Sequence, residues 1–432
     1  MKIANTTPIS GTQELLPESQ MIFDNLKAKI SKCYRKHGYF NVETPTLERT
    51  DILLAKAGGE TEKQIYRVFK TAETSTDSTE ALRFDHTVPL ARYVIEHESN
   101  LSFPFKASQI GLNFRGERAQ KGRLREFYQC DIDIIGRNHL ELSYDADIIS
   151  TLIAAINTFE LKTPLLARIN NRKIISGLLS HLNLQEKATD IYSIIDHSEK
   201  VSPEKTENSL REINLSEDNI KKILAFINLH GERAFVIKNL SNLKIDNPVF
   251  IDGINELDQV MKLLESMGLK DQISADMKII RGLDYYTGTV FEFILPEYKE
   301  IGSICGGGRY ENLTQHFSEH SFPGVGGSIG LTRLFYILNE KGLLSNSFPT
   351  KLDYAVIPVT DNELEFAINI SNQLRLGDYN ASVVMMDKKL SDKLSYASKI
   401  ARNGIVVGEN ELQSKNFQVK NFQTGETSEL VL

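Results

Sequence analysis

The sequence predicts an α+β chain in three parts, and three observations carry that reading. Between Phe103 and Gly136 two stretches of strand character flank the basic loop RGERAQKGR, and strand patterns return over residues 286–295 and near 301–305. From about residue 170 to 268 the composition shifts to Leu, Ile, Lys and Glu, with helical runs such as INELDQVMKLLESMG. After the linker-like KGLLSNSFPTK, the apolar stretches LDYAVIPV, ASVVMMD and IVVG alternate with helical ones, the pattern of a small α/β domain with a mostly parallel sheet. At 432 residues the chain is too long for one core. The expected division is 1–342, interrupted by the insertion at about 170–270, then a linker at 343–350 and a last domain at 351–432.

Each element has its own signal. From Pro17 to Lys36, Ile22, Leu26, Ile30 and Cys33 recur at helical spacing, and Gly38 follows the last turn. The segment YFNVETPTLER is extended, with Pro45 inside it, and 71–80, TAETSTDSTE, reads as a loop. LRFDHTVPLARYVIEH passes from strand to helix, with Pro89 placed for the first helical turn. Side chains alternate across a strand. In the second strand of the 103–136 pair, Tyr128, Cys130, Ile132 and Ile134 therefore share a core face, and Arg125, Phe127, Gln129, Asp131 and Asp133 share a polar one. The same rule puts Asp85 and Thr87 on one strand face and Asn113 with Arg115 on another. A helix is expected over 331–342, where Leu331, Leu334, Phe335 and Leu338 form one stripe. Another is expected from Ser391 to Arg402, burying Leu394, Ala397 and Ile400 and leaving Lys393, Lys399 and Arg402 free. Together with Lys388 and Lys389 these make a basic patch.

The gross composition excludes several classes. Hydrophobic residues at 41% and charged residues at 25% are ordinary for a globular protein. No apolar run approaches the roughly 18 residues of a membrane span, and MKIANTTPISGTQ lacks a signal-peptide core, so a cytoplasmic protein is expected. Cys33, Cys130 and Cys305 are far apart in sequence and form no Cys-x-x-Cys pair, which argues against a disulfide framework and a thiolate zinc site. With a net charge of −7, any nucleic acid would have to be held by local basic patches.

Two motifs invite over-reading. GGSIG, 326–330, matches the Gly-x-Ser-x-Gly elbow of serine hydrolases, but HSFPGVG before it does not read as the strand that elbow needs. HFSEH, 316–320, matches a His-x-x-Glu-His zinc pattern, but the segment between Gly308 and Pro323 is too short for the long helix required. The glycines of CGGGRY suit either a bulged turn or close ligand approach. The remaining polar residues converge better. Asp85, Thr87, Gln129 and Asp133 suit an ammonium group, whereas Arg115, Arg281 and Arg333 suit phosphates, because a guanidinium can bind two oxygens at once. Tyr285 and Tyr286 in RGLDYYTGTVFEF, and Tyr310 in what reads as a glycine turn, complete the set. An amino acid beside a nucleotide would use both halves.

These residues sit in segments that resemble the histidyl-tRNA synthetases, a family of class II aminoacyl-tRNA synthetases. RGLDYYTGTVFE resembles the family's histidine-binding signature, FRGERAQKGRLREFYQCDIDIIG class II motif 2, VGGSIGLTRL motif 3, and FNVETPTLERTDIL the dimer-interface motif 1; LRFDHTVPLARY and GGGRYENL match as well. The resemblance implies an α+β catalytic domain with a central antiparallel sheet flanked by helices, a helical insertion, and a C-terminal α/β domain that reads the anticodon. It implies a homodimer acting on L-histidine, ATP and tRNA(His), with Mg2+ bridging the nucleotide phosphates. By position, Arg115 would hold the α-phosphate of ATP and Arg333 the γ-phosphate side. Arg281 would stabilise charge at the α-phosphate. Asp85, Thr87 and Gln129 would hold the α-amino group, and Asp133, Tyr286 and Tyr310 the imidazole, with Tyr285 orienting the ring.

Two departures stand out. Thr332 occupies a motif 3 position where the family carries an acid, which bears on the number of metal ions. The basic loop resembles the bacterial form, whereas REFYQCDIDI resembles the eukaryotic and archaeal one. A rival reading is a histidine-binding regulatory paralogue of a biosynthetic enzyme. Such paralogues typically lose the signature arginine and the last domain, both of which this chain keeps. A third, an adenylate-forming enzyme with a protein acceptor, leaves the last domain without a use.

Overall fold

A computed structural model describes residues 5–54, 59–71, 78–120, 122–280, 286–311, 318, 320–344 and 351–430. The chain divides into two compact units, one made of Met1–Glu14 and Leu26–Ser345, the other of Leu15–Asn25 and Asn346–Leu432.

The first unit is built on a nine-stranded sheet. In spatial order its strands are Phe40–Asn41, Phe105–Phe114, Glu126–Ile135, Gly324–Ile329, Cys305–Tyr310, Tyr286–Ile294, Leu166–Asn171, Ile273–Asp276 and His230–Gly231. Its middle is antiparallel throughout. Only the pairs Phe40–Asn41 with Phe105–Phe114, and Leu166–Asn171 with Ile273–Asp276, run parallel. The alternation expected over 125–135 is present: Cys130, Ile132 and Ile134 are fully buried on one face. Helix Ser143–Asn157 lies against the sheet and carries a buried carboxylate, Asp145. Asp145 is paired with Arg309 at 2.7 Å, and that guanidinium also donates to the carbonyls of Leu140 and Glu141. A buried ion pair whose guanidinium is also bonded to backbone carbonyls holds helix and sheet in one arrangement.

The helical insertion leaves the sheet at Leu166–Asn171 and rejoins it at the neighbouring strand Ile273–Asp276. Four of its helices begin where the sequence supplies caps: Asn171, Ser202, Ser216 and Asn247 each accept a backbone N–H, and Pro203 and Pro248 stand in first turns. Arg168 anchors the insertion to the sheet by pairing with Asp276 at 2.9 Å and with Glu199. Helices Arg172–His181 and Pro248–Ser266 approach so closely that a Cβ on Gly177 would stand 2.4 Å from the Phe250 nitrogen.

Several elements differ from expectation. Residues 296–301 form a 3-10 helix, and the strand near 301–305 lies instead at Cys305–Tyr310. Asp85 occupies the turn after strand Glu80–Leu82, and Thr87 opens helix Thr87–Glu96, so they do not share a strand face. The Asp85 carboxylate accepts the Val88 N–H at 3.0 Å and tucks under the helix start, which is why the strand ends early. Of the loop expected at 71–80, residues 72–77 lie outside the described residues.

The second unit has a five-stranded sheet, in order Ala381–Val383, Leu352–Pro358, Ala401–Val407, Phe417–Asn421 and Thr427–Leu430. The first three strands are parallel and the last two add an antiparallel hairpin. Helices cover both faces. Ala367, Ile370 and Leu374 of Leu364–Leu376 pack with Val356, whereas Ala397 and Leu394 of Leu390–Ile400 pack with Ala355 and Ile357. The expected basic patch needs two corrections. Lys393 is only 4% exposed, and its ammonium donates to the Pro358 carbonyl at 2.9 Å, satisfying the end of the adjacent strand. Arg402 lies in strand Ala401–Val407 rather than on the helix. Lys388, Lys389, Lys399 and Arg402 are exposed.

The helix contact at Gly177 can be tested directly. Gly177→Ala should lower the guanidinium unfolding midpoint by an amount corresponding to about 1–3 kcal/mol, because a methyl there meets backbone. An unchanged midpoint would show that the two helices are not in that contact.

Candidate active site

The site forms where two glycine-rich strands cross the middle of the sheet. In Cys305–Tyr310 and Gly324–Ile329 the register places Gly308 opposite Gly326, Gly326 opposite Asp133, Tyr310 opposite Gly324 and Tyr286 opposite Tyr310. A Cβ on Gly326 would lie 1.9 Å from Asp133 Oδ1, one on Gly324 2.4 Å from the Tyr310 ring, and one on Gly308 2.9 Å from the Tyr286 ring. The missing side chains leave a trough into which Asp133, Tyr310 and Tyr286 fit. Tyr310 is thus the last residue of a strand, not part of a glycine turn.

The trough holds buried acids. Asp133 is 4% exposed and accepts the Tyr310 hydroxyl at 2.9 Å. Burial pushes its pKa up to about 7, the Tyr310 bond opposes the shift, and the charge of Asp85 adds to it. Asp131, equally buried, is raised further by burial and by Asp133 and Asp85, while a hydrogen bond from Ser328 pulls the other way. Burial also raises Asp85, against its N–H bonds and the nearby Arg115 charge. Arg115 packs over the rings of Phe84 at 4.3 Å and Phe127 at 5.2 Å, with Nε donating to the Phe84 carbonyl. Gln129 accepts from Asn113 Nδ2 at 2.7 Å and donates to Ser328 Oγ at 2.6 Å.

The structure therefore brings Asp85, Arg115, Gln129, Asp133, Tyr286 and Tyr310 together, with Thr87 two residues from Asp85. Arg333 stands in the first turn of helix Leu331–Glu340, donates to the Ile301 carbonyl, and lies against Gly122 of the basic loop. Its neighbour Thr332 accepts the Tyr128 N–H at 2.8 Å, fastening this helix to the strand that carries Gln129 and Asp133. Arg281 and Tyr285 lie outside the described residues.

Residues 324–329 are a strand after all; low intrinsic strand preference of glycine hid it. Ser328 lies within that strand rather than in an elbow after it, and its partners are a carboxylate and an amide. His316 and Glu319 fall outside the described residues, and His320 is exposed beside Glu98. Sequence reasoning assigned no role to Asp131, Asn113 or His86. Alternation had already placed Asp131 on the polar face, but nothing in the sequence gives the register that pairs it with Ser328. His86 is buried, and burial lowers its pKa to about 3, so its ring is neutral.

Residues 11–334 match the family model of histidyl-tRNA synthetase, and residues 353–432 match that of an anticodon binding domain. The chain is 43% identical to the histidine–tRNA ligase of Clostridium tetani, covering 100% of this chain and 97% of the relative. It is 40% identical to that of Finegoldia magna, over 96% and 95% of the two chains. The crystal structure of histidyl-tRNA synthetase from Nostoc sp. PCC 7120 superposes with a TM-score of 0.90 at 33% identity, covering 99% of this chain and 97% of that one. A Bacillus halodurans structure described as an ATP phosphoribosyltransferase regulatory subunit/histidyl-tRNA synthetase shares the fold, with a TM-score of 0.77 at 20% identity over 94% and 99% of the chains. By sequence over its whole length, and by the fold that frames the trough, the chain belongs to the histidyl-tRNA synthetase family.

Proposed function

We propose that the chain activates L-histidine with ATP and transfers it to the 3′ end of tRNA(His). The observation that carries this reading is the Asp133–Tyr310 pair buried under a glycine floor, in a chain that also matches an anticodon binding domain. A regulatory paralogue would have no use for Arg115, Arg281 and Arg333 together with that last domain.

In the first step a histidine carboxylate oxygen attacks the α-phosphorus. The P–O bond to the β-phosphate breaks, leaving histidyl-adenylate and pyrophosphate. In the second, the terminal ribose hydroxyl of tRNA attacks the acyl carbon and AMP leaves. Asp85, Thr87 and Gln129 hold the α-ammonium; Asp133, Tyr286 and Tyr310 hold the imidazole, with Tyr285 orienting the ring. Arg115 and Arg281 act at the α-phosphate and Arg333 at the γ-phosphate side, so catalysis is positioning and charge stabilisation.

Among the described residues no group of three or more His, Cys, Asp and Glu side chains could hold a metal, and the Thr332 hydroxyl is engaged by Tyr128. Magnesium fits as part of the nucleotide substrate, carried on its phosphates. The motif 1 segment supports a homodimer, since Phe40 on the sheet-edge strand is 70% exposed. Residues 1–342 form the catalytic domain, 343–350 the linker and 351–432 the anticodon-binding domain. A cytoplasmic location fits three buried free cysteines and the finding that no helix among the described residues is long and apolar enough to cross a membrane.

Pyrophosphate exchange tested with all twenty amino acids should require histidine and ATP; equal exchange with another amino acid would contradict the assignment. Asp133 supplies a second test. Its pKa is raised in the folded state, so the stability it contributes is present below about pH 4 and is lost as pH rises through about 7. That loss is on the order of 4 kcal/mol. Asp133→Asn should therefore flatten the fall in thermal stability of the ligand-free protein between pH 5 and 8, and raise KM for histidine while nearly keeping KM for ATP. A wild-type pH profile and an unchanged histidine KM would move recognition of the ring elsewhere. For the last domain, replacing Lys388 and Lys389 by alanine should raise KM for tRNA, flatten its salt dependence, and leave exchange unaltered. Unchanged tRNA charging at low tRNA concentration would remove these lysines from the interface.

A further inference from the structure

Three residues outside the assigned set bear on one of its members. Asp131, Ser328, Gln129 and Asn113 form one hydrogen-bonded line along the polar face of the sheet. Ser328 Oγ donates to Asp131 Oδ1, Gln129 Nε2 donates to Ser328 Oγ at 2.6 Å, and Asn113 Nδ2 donates to Gln129 Oε1 at 2.7 Å. The ladder sets the line up, because Ser328 is the register partner of Asp131. Gln109, the partner of Asp131 on its other side, spends its amide on Thr44 and the His86 carbonyl, which leaves Asp131 to Ser328.

The order of donors is not arbitrary. Ser328 spends its proton on Asp131 Oδ1, so a lone pair of the hydroxyl faces Gln129 Nε2. The Gln129 amide must then turn its NH2 toward Ser328 and its oxygen toward Asn113. That oxygen has a second lone pair. With the amide flipped, an NH2 would stand there instead, and a donor repels a cation.

We propose that Asp131 and Ser328 are positioning residues for histidine: they fix the amide of Gln129 so that its oxygen accepts from the substrate α-ammonium. The proposal rests on the reading in which Gln129 meets that group. Breaking the line lets the amide flip and costs affinity for the ammonium only. The imidazole contacts of Asp133 and Tyr310 are left in place, and so are the arginines.

The test compares histidine with its desamino analogue, 3-(imidazol-4-yl)propionate, which keeps the ring and the carboxylate. KM for histidine and for ATP is measured by pyrophosphate exchange, and Ki for the analogue by inhibition, in the full-length protein. Ser328→Ala should raise the histidine KM roughly tenfold or more, the loss of one hydrogen bond to a charged group, with the analogue Ki and the ATP KM nearly unchanged. Asp131→Leu should do the same, the double variant should be little worse than either alone, and Asp131→Asn, which keeps an acceptor oxygen, should restore most of the affinity. Gln129→Leu is the reference and should lose the preference for histidine over the analogue. If Gln129→Leu keeps that preference, the placement of Gln129 at the ammonium is wrong and the proposal falls with it. If Gln129→Leu loses the preference while Ser328→Ala keeps it, or if Ser328→Ala weakens histidine and analogue equally, the placement stands and the positioning role is overturned.

Discussion

A carboxylate buried in a sheet needs room, a partner and a reason to stay. Asp133 has all three because the strands beside it are built from glycine. Gly326 stands directly opposite Asp133, and any side chain there would collide with its carboxylate. Gly324 makes the same space for Tyr310, whose hydroxyl is the partner. Desolvation of the acid is only partly offset by that one bond, as the raised pKa of Asp133 records. On the proposed reading, the N–H of a bound imidazole makes up the rest.

Much of the surrounding structure maintains that trough. The buried Arg309–Asp145 pair fixes helix Ser143–Asn157 against the strand that ends at Tyr310. Thr332 ties the helix bearing Arg333 to the strand bearing Gln129, Asp131 and Asp133, with a hydroxyl doing the fastening where the family pattern has an acid. Arg168 seats the helical insertion on the same sheet. The described residues proposed for amino-acid and phosphate binding and the insertion thus share one sheet, and residues on paired strands hold their geometry better than residues on loops.

The regular parts of this arrangement were legible in the sequence. Helix Pro17–Lys36 and the two-faced strand Glu126–Ile135 follow from apolar spacing alone, and the composition shift announced the insertion. The polar candidate residues were read as residue types on strand faces and in glycine turns, and their roles come from resemblance alone. The misses have physical causes. CGGGRY and GVGGSI became strands because neighbouring strands on both sides paired with them, which no local propensity signals. Asp85 left its strand early because its carboxylate suits a helix N-terminus. Lys393 went inward because its stem is apolar and two carbonyls were waiting for its ammonium. The partnership of Asp131 with Ser328 depends on register across strands almost 200 residues apart, which alternation cannot supply.

On the proposed reading, histidine completes an acid site that burial leaves short of positive charge. Calorimetry of histidine binding at pH 7, in buffers of different ionisation enthalpy, measures the protons exchanged. With Asp133 titrating near pH 7 in the free protein, binding should drive it to the carboxylate and release protons, and Asp133→Asn should release clearly fewer. Equal proton release by the wild-type protein and Asp133→Asn would contradict the account.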